Sequence, residues 1–97
     1  MKLPKRSQYP KEALVHNECY AISFVNKMSE SPTGDAGECD EINKYIRINR
    51  KLSAGETFYT FIHELLHAAD QEYKIKLTHR QIYKLEQAIG DYFLTNY

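Results

Sequence analysis

The stretch FIHELLHAAD, residues 61–70, contains the motif H-E-x-x-H in His63, Glu64 and His67. Residues four apart lie one above the other on a helix face, so the two imidazoles can bind one small ion from the same side. Glu64 points to the flank of that pair, where its carboxylate can act on a water bound to the ion. The stretch therefore predicts a zinc site on a helix, with Glu64 as general base.

The surroundings of the motif matter because it is short enough to arise by chance, in roughly one or two of every hundred chains of this composition. On a helical wheel the apolar residues around it fill an arc of about 160°, and both histidines lie just beyond its edge. These apolar residues are Phe58, Phe61, Ile62, Leu65, Leu66, Ala68 and Ala69. The pattern predicts an amphipathic helix that carries the pair at the rim of a core, where a cleft can form.

The length and charge of the chain limit the possible classes. We expect the 97 residues to form one domain, residues 1–97, with a single core. Thirteen basic and thirteen acidic residues argue against bulk attraction to nucleic acid or anionic membranes. No secretory signal or bilayer-spanning run is present, and Cys19 and Cys39, which form no C-x-x-C pair, predict small buried thiols. These features favour a cytoplasmic protein that does not span a membrane.

The N-terminal half predicts an arm, a strand and a loop. Residues 1–12 contain two prolines and four basic side chains, which is typical of an irregular basic arm. Tyr20, Ile22 and Phe24 alternate with smaller residues and favour a strand. Residues 29–37 gather serine, proline, glycine and aspartate and predict a loop.

A second strand is predicted at residues 45–49, where Ile46 and Ile48 alternate with polar or amphipathic side chains. Residues 37–40 can pair with it across a turn at 41–44. We therefore expect a small antiparallel sheet that also includes the Tyr20 strand. An edge strand beside a metal cleft can bind an extended peptide through main-chain hydrogen bonds.

Two helices are predicted in the second half, each opened by a capping box. Ser53 and Glu56 begin the H-E-x-x-H helix, residues 53–73, and Thr78 with Gln81 begins a C-terminal helix, residues 78–95. The predicted buried face of the second helix consists of Ile82, Leu85, Ile89, Tyr92 and Phe93.

Three residues compete as the third metal ligand. Asp70 lies on the histidine stripe, but its short side chain better suits orienting a histidine. His79 reaches the site if the connector, residues 74–77, runs extended back along the first helix. Glu86 reaches the site if the second helix begins directly after the first and runs antiparallel to it. The residue at the height of the metal is then about eight positions into the second helix. We prefer His79, because of the connector and the affinity of imidazole for zinc, with Glu86 as the alternative.

A family resemblance covers about half the chain, from residue 45 to residue 96. A strand, HELLHAAD, a short connector, LTH and an amphipathic helix resemble small phage and bacterial metallopeptidase-like proteins of the SprT-like and ImmA/IrrE groups. SprT-like proteins have a later histidine and an aromatic residue four positions on, which His79 and Tyr83 match, although Arg80 stands where many have glycine. ImmA/IrrE-like proteins use an acidic third ligand, which favours Glu86. The resemblance implies an α+β, minimal zincin-like fold and a zinc peptidase with Glu64 as base.

The sequence therefore predicts a peptidase with one Zn²⁺ on His63, His67 and His79, acting on a peptide or protein substrate. A tyrosine hydroxyl can stabilise the charge of the transition state, and the candidates are Tyr83, Tyr59 and Tyr73. One alternative is a non-catalytic zinc module that binds a partner. Another is a metal-free protein that binds nucleic acid through Lys5, Arg6, Arg47, Arg50 and Lys51.

Overall fold

The computed structural model describes residues 2–26 and 36–97, which form a four-stranded sheet and two long helices. The strands are β1 (Glu12–Val15), β2 (Glu18–Val25), β3 (Gly37–Asp40) and β4 (Tyr45–Asn49). The helices are α1 (Ala54–Tyr73) and α2 (His79–Asn96). The α+β class predicted from the sequence is confirmed, whereas most of the predicted loop, residues 29–35, lies outside the described residues.

The sheet is mixed rather than antiparallel. Its order is β1-β2-β4-β3, and β2 pairs with β4 in parallel while the two outer pairs are antiparallel. The prediction of a small antiparallel sheet is therefore wrong at the central pair. Alternating side chains show which face of a strand is buried, but they do not show the direction of its neighbour. Here the β3–β4 hairpin joins the sheet through β4, and β4 therefore lies parallel to β2 while β3 is the outer strand.

Short turns join the two antiparallel pairs. His16 and Asn17 both have positive φ, 48° and 68°, as a type I′ turn between β1 and β2 requires. In the β3–β4 turn, Oδ1 of Asp40 accepts the amides of Ile42 and Asn43 at 2.9 and 2.8 Å. The predicted pairing of residues 37–40 with residues 45–49 is confirmed.

The main core lies between the sheet and α1. Tyr20, Ile22, Ile46 and Ile48 from the two central strands pack with Ala68 of α1. Both predicted capping boxes are present, with Ser53 and Thr78 as the N-cap residues, so the helix starts are confirmed. The N-terminal arm contains one 3-10 turn (Arg6–Gln8), and Tyr9 anchors it by packing edge-on against Phe24 and Phe61.

The second helix packs on α1 through a narrow stripe. Its buried residues are Ile82, Glu86 and Gly90, which follow one another at intervals of four. The predicted apolar face is correct at Ile82, but Leu85 and Phe93 are 39% exposed and Tyr92 is 52% exposed. The prediction assumed that the whole apolar side meets a core, whereas α2 has α1 as its main neighbour and the sheet lies beyond α1.

Candidate metal centre

Three histidines converge at the contact between the helices. The candidate ligand atoms of His63, His67 and His79 all lie within 4.8 Å of one another. The Nε2 atoms of His63 and His67 are 3.1 Å apart, close to the roughly 3.4 Å that separates two nitrogens on a tetrahedral zinc ion. The predicted pairing of the two motif histidines and the placement of His79 beside them are thus both seen in the fold.

His79 reaches this cluster because the connector between the helices turns back along α1. Lys74 and Lys76 adopt left-handed backbone conformations, with φ of 54° and 66°. Oδ1 of Asp70 accepts a hydrogen bond from the main-chain amide of Leu77, at 2.8 Å. Asp70, which the sequence offered as a possible ligand, therefore fixes the connector just before the N-cap of α2 and does not join the histidine group.

Glu86 also lies at the site, but it faces a different atom. Its carboxylate is buried, 6% exposed, and Oε1 lies 2.7 Å from Nδ1 of His63. An ionised carboxylate in this position keeps a proton on Nδ1 and leaves the Nε2 lone pair directed at His67. The antiparallel return that favoured Glu86 is therefore real. The connector that brings His79 to the same site is not extended as predicted, because Lys74 and Lys76 have left-handed conformations.

Burial lowers the pKa of His67, and the nearby His63 and His79 lower it further, against a smaller opposing effect of Asp70. The neutral form of the imidazole is therefore favoured. Because only a neutral imidazole can donate its lone pair to a metal, this environment suits a ligand.

Glu64 lies beside the histidines, is 5% exposed and faces the edge strand β3. A Cβ at Gly37 would come within 3.0 Å of Oε2 of Glu64 and within 2.7 Å of Cγ2 of Thr60. The absence of a side chain at Gly37 thus lets α1 and the Glu64 carboxylate approach β3. Gly37 was predicted at the end of a loop, and its sequence neighbours do not indicate this role.

Two open cavities meet at Glu64. One has a volume of about 250 Å³ and extends towards Ala36, Thr60 and Tyr83. The other has a volume of about 470 Å³ and extends along β3 towards Glu41, past the histidines. Both are lined by Gly37, His63 and Glu64. Together they form one cleft, with the predicted base at its centre.

Among the described strands β3 is the outermost next to β4, and it forms one wall of this cleft. The amide of Asn49 donates to the carbonyl of Ala36 at 2.8 Å, one step beyond the pair Gly37 and Ile48. Hydrogen-bonded and non-hydrogen-bonded pairs alternate along an antiparallel ladder. Gly37 and Cys39 therefore direct their main-chain N–H and C=O groups away from β4, to the outer side of β3.

Three tyrosines were candidates for transition-state stabilisation, and among the described residues that line the cleft only Tyr83 is one of them. Its ring centroid lies 6.4 Å from that of His63. The hydroxyl of Tyr59 donates instead to Asp91, and Tyr73 packs against His16 with ring centroids 4.5 Å apart.

The two cysteines occupy different environments. Cys19 is exposed, so the prediction of two buried thiols is wrong there, because its position on β2 faces away from the core. Cys39 is half-buried in the cleft, and burial raises the pKa of its thiol to about 12, with Glu64 and Glu41 adding to the effect.

The basic residues considered for nucleic-acid binding divide into separate regions. Lys5, Arg6 and Arg50 line a cavity near the start of α1. Arg47 lies over the ring of Tyr45 and pairs with Glu38 at 3.5 Å.

Comparisons with known proteins found no match: no family model matches the chain, and neither does any curated protein or solved structure. In the described part of the chain, neither helix combines the length and the apolar character needed to cross a membrane.

Proposed function

We propose that this chain is a zinc-dependent peptidase with a minimal zincin-like site. The observation that most supports this is the convergence of His63, His67 and His79 beside the buried carboxylate of Glu64 in an open cleft. Three protein ligands leave one position of a tetrahedral zinc ion open, as in catalytic rather than structural sites. The residues present therefore fit both the metal and the reaction.

Zinc held by the three imidazoles would supply a Lewis acid that makes water nucleophilic at neutral pH and polarises a carbonyl. Glu64 takes a proton from the attacking water while the water oxygen bonds to the carbonyl carbon. It delivers that proton to the amine nitrogen as the C–N bond breaks. Glu86 holds His63 in the required tautomer, and the Tyr83 hydroxyl donates a hydrogen bond to the oxygen on which charge develops.

The substrate in this proposal is an extended peptide or protein segment that pairs with the outer edge of β3. Main-chain hydrogen bonds to Gly37 and Cys39 would hold it beside Glu64, the mode in which a peptide adds a strand to a sheet. The two unpaired cysteines are compatible with the reducing cytoplasm that we propose as its location.

The metal is tested first, by zinc content of the protein purified without added metal. We expect near one zinc per wild-type chain, and loss of zinc in His67→Ala and His79→Ala. Glu86→Ala should weaken zinc affinity by about 10- to 100-fold without removing a ligand. His16→Ala, which changes the fourth histidine outside the cluster, should keep full occupancy. Wild-type protein that binds no zinc at neutral pH would overturn the site.

Turnover is tested with Glu64→Gln. This variant keeps the shape of the side chain and should retain zinc, but it cannot take a proton and should abolish peptide cleavage. Unchanged cleavage would remove Glu64 from the role of base.

A non-catalytic zinc module is the second candidate, and the packing of α2 supports it. The histidines come from both helices, and α2 has α1 as its main neighbour. A metal on the three imidazoles would therefore fasten α2 to α1. In that case zinc removal should destabilise the protein, and zinc-loaded protein should cleave no peptide in a mixed library.

A further inference from the structure

The two halves of the cleft differ in chemistry, although both begin at Glu64. Small or uncharged groups extend one half, namely Ala36, Thr60 and the Tyr83 ring, together with Glu86, whose carboxylate is bound to His63. The other half runs along Glu38 and Cys39 to Glu41, and the Glu38 carboxylate is turned to Arg47. Among the described residues, no lysine or arginine lines either half.

Glu41 is the carboxylate in the second half that is best placed to meet a ligand. Glu38 pairs with Arg47, and Lys44, the basic residue in the adjoining turn, is bonded to Glu72. Glu41 is half-buried and forms no ion pair with a described residue. The raised pKa of the neighbouring Cys39 thiol, caused by burial first and by Glu64 and Glu41 next, fits negative charge on this side.

We propose that the cleft selects its peptide by charge: a lysine or arginine side chain next to the cleaved bond lies against Glu41, and an uncharged side chain on the other side occupies the cavity at Ala36 and Thr60. This inference rests on the proposed peptidase function and names its substrate class. The cavity of about 250 Å³ has room for one side chain of moderate size. A carboxylate on the peptide would be repelled by Glu41 in one half and, among the described residues, would meet no lysine or arginine in either.

The test separates binding from turnover. Fluorescent peptides of one sequence, differing only in lysine, norleucine or glutamate at the positions flanking the cleaved bond, are bound to Glu64→Gln protein and are cleaved by wild type. We expect lysine to be favoured over glutamate by about tenfold on one side of the bond, with norleucine between them, and the preference should shrink at high salt.

Variants of Glu41 and Ala36 test which residue causes the side-chain preference in each half of the cleft. Glu41→Lys should reverse the order of lysine and glutamate peptides, whereas Glu18→Lys, the same change at an exposed glutamate outside both cavities, should leave it unchanged. Ala36→Leu should narrow the other half and disfavour large side chains there. Wild-type cleavage without charge preference, or the same preference in Glu41→Lys, would overturn the inference and leave the peptidase proposal intact. Charge-selective binding without any turnover would overturn the peptidase proposal and leave the selectivity of the cleft standing.

Discussion

The two helices show how differently similar apolar patterns are used. The first, α1, packs against the sheet and also contacts α2, and it buries a polar residue, Glu64, along with its apolar stripe. The second, α2, carries as clear an apolar stripe but packs mainly on α1, so that Leu85, Tyr92 and Phe93 are substantially exposed. A hydrophobic pattern indicates which face of a helix can be buried, and the neighbouring elements decide how much of it is.

The largest difference in stability is expected between alanine variants of two α2 residues that were predicted to lie on the same buried face. Ile82 is 1% exposed and Leu85 is 39% exposed. Ile82→Ala should lower the free energy of unfolding by about 2–5 kcal/mol, because it opens a cavity against α1. Leu85→Ala should lower it by less than about 1 kcal/mol. Urea denaturation measures both, and equal losses would mean that another surface covers the outer face of α2.

A smaller effect is expected where Tyr59 of α1 packs on Gly90 of α2. A Cβ at Gly90 would lie 2.3 Å from Cε1 of Tyr59, so Gly90→Ala should cost about 1–3 kcal/mol through overpacking. In a Tyr59→Ala background, which lacks the ring, Gly90→Ala should be nearly neutral. A double-mutant cycle measures this coupling. Gly55→Ala is the matched control, since its nearest neighbour, Leu3 Cδ1, would be 4.0 Å away. Additive effects of the two changes would contradict the close contact.

The smallest effect concerns a polar link from α1 to the sheet. Glu72 accepts hydrogen bonds from Lys44 and from Tyr20 of β2, and these hold the pKa of Glu72 below its ordinary value of 4.5. The folded state therefore binds this proton less readily than the unfolded state. The stabilisation is complete above pH 4.5 and is lost as the pH falls through the lower folded value.

Denaturation between pH 6 and pH 3 measures this link. Glu72→Gln should flatten the loss of stability at the acidic end, whereas Glu18→Gln, at an exposed position, should keep the wild-type slope. An identical pH dependence in Glu72→Gln and wild type would show that the link contributes no stability.

Much of the candidate site follows from short-range patterns. The four-residue spacing of His63 and His67 puts them on one helix face, and the capping boxes at Ser53 and Thr78 identify where both helices begin. The sequence did not show that His79 and Glu86 both lie at the site, because each placement required a different path of the connector between the helices. The structure brings both residues to the site, through an antiparallel return of α2 and a connector that turns back at the left-handed residues Lys74 and Lys76.

The sequence by itself determined the elements whose causes lie within a few residues: the motif helix, both helix starts and the alternating strand at β4. Tertiary structure alone decided the parallel pairing of β2 with β4, the position of Glu86 against His63, and the approach of Glu64 to Gly37. The physical reason is that helix periodicity and capping depend on local backbone geometry. Strand direction, close packing and the neighbour of a buried carboxylate depend on segments distant in the chain, and no spacing within either segment encodes them.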